Sequence, residues 1–237
     1  RSAAENLVPL TLELGGKSPV IIGRSADIKL AARNVMTGNT MNAGQICLAP
    51  DYVMVPEEDR DEFVEAARTA VTEMYPNLKD NEDYTSIINE RHFNRINSLI
   101  QDAKEKGAHI NEINPSNEDF SQQQFYKIPP TIVTDTSDDM KIMNEEIFGP
   151  VLPVIEFDDL DDALSTINSK DRPLGLYYFG TDNRASLALF RKEIDNPVER
   201  AIPDASGSAA VGITFRNQRS AVLHGIELDF NTTLIDS

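Results

Sequence analysis

One thiol and one carboxylate in glycine-rich surroundings are the side chains best suited to chemistry in this 237-residue sequence. The thiol is Cys47, within Asn42-Ala43-Gly44-Gln45-Ile46-Cys47-Leu48-Ala49-Pro50, and the carboxylate is Glu13, within Glu13-Leu14-Gly15-Gly16-Lys17-Ser18-Pro19. A lone cysteine is more often a small buried hydrophobe than a nucleophile. This one falls in a connection bracketed by Gly and Pro, the kind of rigidly flanked loop in which function concentrates, and spacing alone leaves both readings open. Gly15-Gly16-Lys17-Ser18 looks like the end of a phosphate-gripping P-loop, but Thr11 stands where the earlier glycine belongs and Pro19 where a helix should continue. Binding of a nucleoside triphosphate is therefore set aside. The alternative is a strand ending at Glu13-Leu14, with two glycines that allow close backbone approach or torsions closed to a Cβ. Glu13 then sits at a strand end, where open α/β sheets commonly place chemistry.

Other polar clusters have plainer explanations. His92, His109 and His224 show no metal-ligand spacing, so no metal site is expected. Asp158-Asp159-Leu160-Asp161-Asp162 reads as a solvated helix N-terminus, where acids interact favourably with the helix dipole. The excess of 39 acidic over 22 basic residues gives a formal charge of −17, which repels nucleic-acid phosphates and anionic membranes. Nucleic acid is not an expected partner. No apolar run has the length of a membrane span, and residues 1–6 lack the apolar stretch of a signal peptide. With one cysteine there is no internal disulfide, which suits a reducing, cytoplasmic setting.

The elements that must position these residues alternate between helical and extended patterns, as in an α/β fold. Residues 59–74 place Phe63, Ala66, Ala67, Ala70, Val71 and Met74 on one stripe; residues 91–106 do so with Phe93, Ile96, Ile100 and Ala103, and residues 159–169 with Leu160, Ala163, Leu164 and Ile167. A further helix is expected over 27–41. Runs rich in β-branched and aromatic residues at 20–22, 52–55, 131–133, 151–157 and 176–179 read as strands, with further candidates at 10–14 and 210–215. Residues 111–124 are polar, contain Pro115 and lack a period, so they read as a surface loop.

Three segments taken together carry a resemblance. Glu13-Leu14-Gly15-Gly16-Lys17-Ser18-Pro19, then Gly44-Gln45-Ile46-Cys47, then Glu145-Glu146-Ile147-Phe148-Gly149-Pro150-Val151 are similar to three signatures of the aldehyde dehydrogenase superfamily, in that family's order. The 34 positions from Glu13 to Cys47 match its usual interval, and Ala49-Pro50-Asp51-Tyr52 resembles the branch of coniferyl and fatty aldehyde dehydrogenases. The similarity runs from about residue 10 to residue 180. It implies an open, twisted, mainly parallel sheet flanked by helices, and a reaction in which NAD or NADP accepts hydride from a small-molecule aldehyde. Carried over by motif, Cys47 resembles the nucleophile and Glu13 the general base. Glu146 matches the acid that binds the nicotinamide-side ribose hydroxyls, and Phe148 the aromatic that packs against the cofactor there. The chemistry suits the residue types, because a thiolate adds readily to a carbonyl and the thioester left after hydride loss is open to water. A free thiol titrates near ~8.5, so a neighbouring base such as Glu13 would help.

The resemblance also implies what this chain lacks. The dinucleotide-binding domain and the oxyanion-hole asparagine precede the Glu-Leu-Gly-Gly motif in the family, so cofactor binding by the chain alone is expected to be weak or nil. Residues 1–195 are expected to form the catalytic domain, with 196–237 a divergent segment packed on it, and the parent enzyme is expected to be a homo-oligomer. Three functions stay open at this point: the catalytic half of an aldehyde oxidoreductase, a fragment limited to thiol acylation or ester hydrolysis, or a non-catalytic structural or interaction domain.

Overall fold

The β-branched runs come together in a six-stranded sheet: β1 (Ser18–Ile22), β2 (Pro50–Pro56), β3 (His109–Glu112), β4 (Thr131–Thr134), β5 (Val151–Phe157) and β6 (Tyr177–Phe179). Their order is β3-β4-β5-β2-β1-β6. All neighbours are parallel except β3, which runs antiparallel to β4 at the edge. The computed structural model describes residues 5, 6, 8, 9, 15–121 and 123–180, with the backbone of Ala188–Asp195 and Ser220–Glu227. Glu13, the expected strand at 10–14 and that at 210–215 lie outside the described residues.

Among the described residues five α-helices accompany the sheet: α1 (Ile28–Thr40), α2 (Arg60–Met74), α3 (Glu90–Glu105), α4 (Lys141–Asn144) and α5 (Leu160–Asn168). Three begin where a short polar side chain satisfies a free N–H of the first turn. Asp27 accepts from Leu30 N at 3.0 Å, Asn89 from His92 N at 3.0 Å and Asp159 from Asp162 N at 2.9 Å. The acidic run at 158–162 is thus a helix start.

Because successive strand residues face opposite ways, each buried strand supplies two cores. Val20, Ile22, Val53, Val55, Leu152 and Val154 pack against Ala32, Val35 and Met36 of α1 and Phe63, Ala67 and Val71 of α2. On the other face Ile21, Tyr52, Met54 and Phe157 meet Ala163 and Ile167 of α5, while Val133 and Val151 meet Ile96, Leu99 and Ala103 of α3. Burial on both faces explains why these strands read as continuous apolar runs. The result is the expected α/β sheet covered by helices.

One expectation needs correcting. The surface loop read at 111–124 begins inside β3, and Ile113 is buried in the core beneath it. His109–Glu112 is too short and too exposed to show an apolar alternation, and it is a strand because β4 offers it an edge. The chain divides into two compact units, Arg1–Thr181 and Asp182–Ser237. Within the second unit β7 (Ala188–Asp195) pairs antiparallel with β8 (Ser220–Glu227).

The topology decides where chemistry can sit. Gly15–Lys17 lead into β1, Cys47 into β2, Glu146 and Phe148 into β5, and residues 172–175 into β6. All four segments reach the sheet at the amino ends of parallel strands, opposite to the carboxyl-end rule for open α/β sheets.

Candidate active site

The loop carrying Cys47 starts with a left-handed turn at the end of α1. Asn42, Ala43 and Gly44 have φ of 51°, 52° and 71°. Two of these are ordinary L-residues, for which that conformation is costly, so something must hold them. The Asn42 amide donates to the Gln45 carbonyl at 3.1 Å, and the Gln45 amide donates back to the Asn42 carbonyl at 2.9 Å. Gln45 also donates to the Ser86 carbonyl at 3.0 Å and accepts from Ile88 N at 2.9 Å, tying the loop to the segment that leads into α3. Glycine is required at position 44, where a Cβ would collide with the Gly149 carbonyl oxygen.

Cys47 follows in a tight turn closed by Ala49 N donating to the Ile46 carbonyl at 2.9 Å. It is half-buried, neither sealed in the core nor fully in solvent. The next carbonyl, that of Leu48, accepts from the Tyr177 hydroxyl at 2.7 Å. Burial, and then the neighbouring Cys47, push that phenol above its usual pKa, keeping it a donor. A cavity of about 360 Å³ with a largely apolar wall is lined by Ile46 and Leu48, on either side of Cys47 in the chain, with Val20, Met41, Tyr177 and Phe179; Cys47 itself does not line it.

Glu146 and Phe148 sit on the loop between α4 and β5. The Glu146 carboxylate lies directly over Gly15, where a Cβ would stand 2.6 Å from Oε2 and 2.9 Å from Oε1. Phe148 has φ 50° and leaves its ring exposed. The backbone around them is fixed from two sides. Lys17 forms an ion pair with Asp51 and donates to the carbonyls of Ile142 at 2.7 Å and Glu145 at 3.1 Å. Asp51 in turn accepts from Ile147 N at 2.8 Å. From α3, Arg95 donates to the carbonyls of Glu146, at 3.2 Å, and Ile147. Burial outweighs mutual attraction in the Lys17–Asp51 pair, so the ammonium pKa is lowered and the carboxyl pKa raised.

The three sequence signatures therefore converge. Gly15 touches Glu146, Lys17 joins Asp51 and Glu145, and Gly44 abuts Gly149. Asn39, itself buried, strengthens the junction by donating to the carbonyls of Pro50 at 3.1 Å and Val151 at 3.5 Å. Of the expected site residues, Cys47, Glu146 and Phe148 lie on loops in mutual contact. His92 is on α3 and His109 on β3.

Sequence reasoning missed Lys17, Asp51, Arg95, Gln45 and Tyr177. Asp51 carried a signal, since a carboxylate opening an apolar strand needs a buried partner. Arg95 carried none, because its partners are backbone carbonyls.

A half-buried carboxylate and an exposed aromatic, on a loop that meets the loop of a half-buried thiol, could hold the nicotinamide-ribose half of a dinucleotide. The carboxylate can accept from sugar hydroxyls, the ring offers an apolar face, and the missing Cβ at Gly15 leaves room for the acid. This fold and this convergence of motifs are those of one enzyme family: the chain belongs to the aldehyde dehydrogenase family, whose profile matches residues 1–194. Among its relatives is a probable coniferyl aldehyde dehydrogenase of Caulobacter vibrioides, 58% identical over 182 residues, covering 77% of this chain and 38% of that protein. The substrate-bound structure of Staphylococcus aureus AldH superposes with a TM-score of 0.70 at 39% identity, over 78% of this chain and 39% of that one. An NADP-dependent glyceraldehyde-3-phosphate dehydrogenase from Bacillus halodurans, complexed with NADP, gives 0.66 at 31% identity over 78% and 39%. The chain thus spans about two-fifths of the length of the relatives it matches. No helix among the described residues is long and apolar enough to cross a membrane.

Proposed function

We propose that this chain is the thiol-bearing part of an NAD(P)-dependent aldehyde oxidoreductase, converting an aldehyde to a carboxylic acid. The observation that supports it most is the meeting of the Cys47 loop with the Glu146–Phe148 loop through Gly44 and Gly149. Cys47, its proton taken by Glu13, adds its sulfur to the aldehyde carbon; the C–S bond forms as the C=O π pair moves to oxygen, giving a thiohemiacetal oxyanion. The nicotinamide, when bound, supplies the two-electron acceptor for the hydride of that carbon. Glu146 would hold the ribose hydroxyls on the nicotinamide side, and Phe148 would pack against the cofactor there. The thioester on Cys47 is then cleaved by water, with Glu13 taking the water's proton, and the thiol leaves as the carboxylate forms. The parent enzyme is a homo-oligomer in this reading.

The relatives named for coniferyl aldehyde support an aldehyde with an apolar body as substrate, for which apolar contact area rather than charge pairing sets affinity.

The test uses the chain as it is. Limiting iodoacetamide labels Cys47, and the rate is followed by mass spectrometry with and without aldehydes. Aromatic and long-chain aldehydes should protect the thiol at concentrations at which glyoxylate does not. Equal labelling with every aldehyde counts against an aldehyde site at Cys47. Cys47→Ser should lower hydrolysis of a nitrophenyl ester by at least about a thousandfold, as expected when the nucleophile of a covalent mechanism is lost.

A further inference from the structure

We infer that Lys17 and Asp51 are a positioning pair that fixes the Glu146–Phe148 loop relative to the Cys47 strand. What the loop is held for rests on the reading of Glu146 and Phe148 given above. The pair itself is read from contacts alone.

Both side chains are largely withdrawn from water, at 12% and 6% exposure. A buried ion pair is poor evidence of stability, since apolar residues of the same volume serve as well or better. Its value must lie in where it directs its remaining hydrogen bonds. An ammonium has three donors, and Lys17 directs them at the Asp51 carboxylate and the carbonyls of Ile142 and Glu145. Asp51 uses one oxygen for Lys17 and the other for Ile147 N. The pair therefore grips residues 142, 145 and 147, on both sides of Glu146. Arg95 takes the two carbonyls that Lys17 leaves, those of Glu146 and Ile147. Three consecutive carbonyls, 145 to 147, are thus each held by a cationic side chain. The Glu146 side chain and the left-handed Phe148 project from a backbone that has little freedom to shift.

The anchor points connect the parts of the site. Lys17 stands two residues from Gly15, on which the Glu146 carboxylate rests, and one residue before β1. Asp51 is the second residue of β2, four positions after Cys47. A single ion pair therefore links the entries to β1, β2 and β5.

The test is amide hydrogen exchange by NMR on the full chain, comparing wild type with Lys17→Met/Asp51→Leu. The double variant leaves no buried charge without its partner, and near-neutral replacement of a buried pair keeps the fold. Near-UV circular dichroism verifies that it does. The expected result is exchange at Glu145 and Ile147 faster by about tenfold or more, with Ala67 and Val71 of the remote α2 core within about twofold of wild type, the pattern of a local rather than a global opening. Unchanged exchange at Ile147 in the folded double variant overturns the inference. If the double variant fails to fold, Asp51→Asn, which keeps the size of the side chain, takes the same readout and the same criterion. A second arm measures how nicotinamide mononucleotide, the half-cofactor that needs no dinucleotide-binding domain, alters Cys47 labelling. Its half-effect concentration should rise in the variant. Wild-type labelling that ignores the mononucleotide overturns the cofactor role of Glu146 and Phe148, while the exchange arm still decides the pair.

Discussion

Two residues beside the thiol show how tightly the site is drawn. Gly44 occupies left-handed space and faces the Gly149 carbonyl at a separation that no Cβ could share. Gly44→Ala should therefore destabilise the chain by roughly 1–3 kcal/mol from backbone strain, plus the displacement of the Gly149 peptide. Gly107→Ala separates these terms: its φ is 97°, yet a Cβ there meets nothing within 4 Å. Urea unfolding should show the larger loss at position 44, and equal losses would mean that contact with Gly149 is unimportant. Ester hydrolysis should fall with Gly44→Ala beyond the loss of folded protein, since the turn sets the Cys47 loop. Glu13→Gln should slow deacylation by roughly 10²–10⁴-fold, the range for a positioned general base. Single-turnover acyl-enzyme decay measures it, and an unchanged rate rejects Glu13 as the base.

Elements were legible where one stripe or face is buried. The period of Phe63, Ala67, Ala70 and Val71 marked α2, and all four are buried in the structure. Strands β1, β2, β4 and β5 were visible as apolar runs because helices cover both their faces. The edge strand β3 was invisible, since its residues are exposed or half-buried and its identity comes from a partner 22 positions on. The segment carrying Glu146 and Phe148 was visible as a motif, whereas the Lys17–Asp51 pair depends on a juxtaposition that the parallel pairing of β1 and β2 creates. Phe63 tests the layer between α2 and the sheet. It is fully buried, and Phe63→Ala should cost about 3–5 kcal/mol. Chemical denaturation is the measurement; a loss below about 1 kcal/mol would mean the layer collapses to fill the space.

The whole molecule carries a formal charge of −17 once every Lys and Arg is set against the acids. Arg60 gathers Asp61, Asp135 and Glu156, and Arg24 pairs with Glu58, but these bridges are solvent-exposed and contribute little. Self-repulsion among the surplus acids should dominate, so added salt should raise the Tm as the screening length shortens to about 10 Å at 0.1 M. A Tm that falls with salt would mean that the exposed bridges outweigh the net charge. The reading of Cys47 as nucleophile predicts acylation of that thiol, seen as a burst of nitrophenolate on mixing the chain with a nitrophenyl ester; no burst would contradict it.

The amino-end placement of the site has a consequence for engineering. Segments that enter strands, residues 41–49, 145–150 and 170–176, lie at the rim of the sheet that carries Cys47, whereas those that leave strands, residues 23–27, 57–59 and 158–159, lie at the opposite rim. A mutational library intended to change which aldehyde is accepted belongs in the first set, and fusion tags or immobilisation linkers belong on the second.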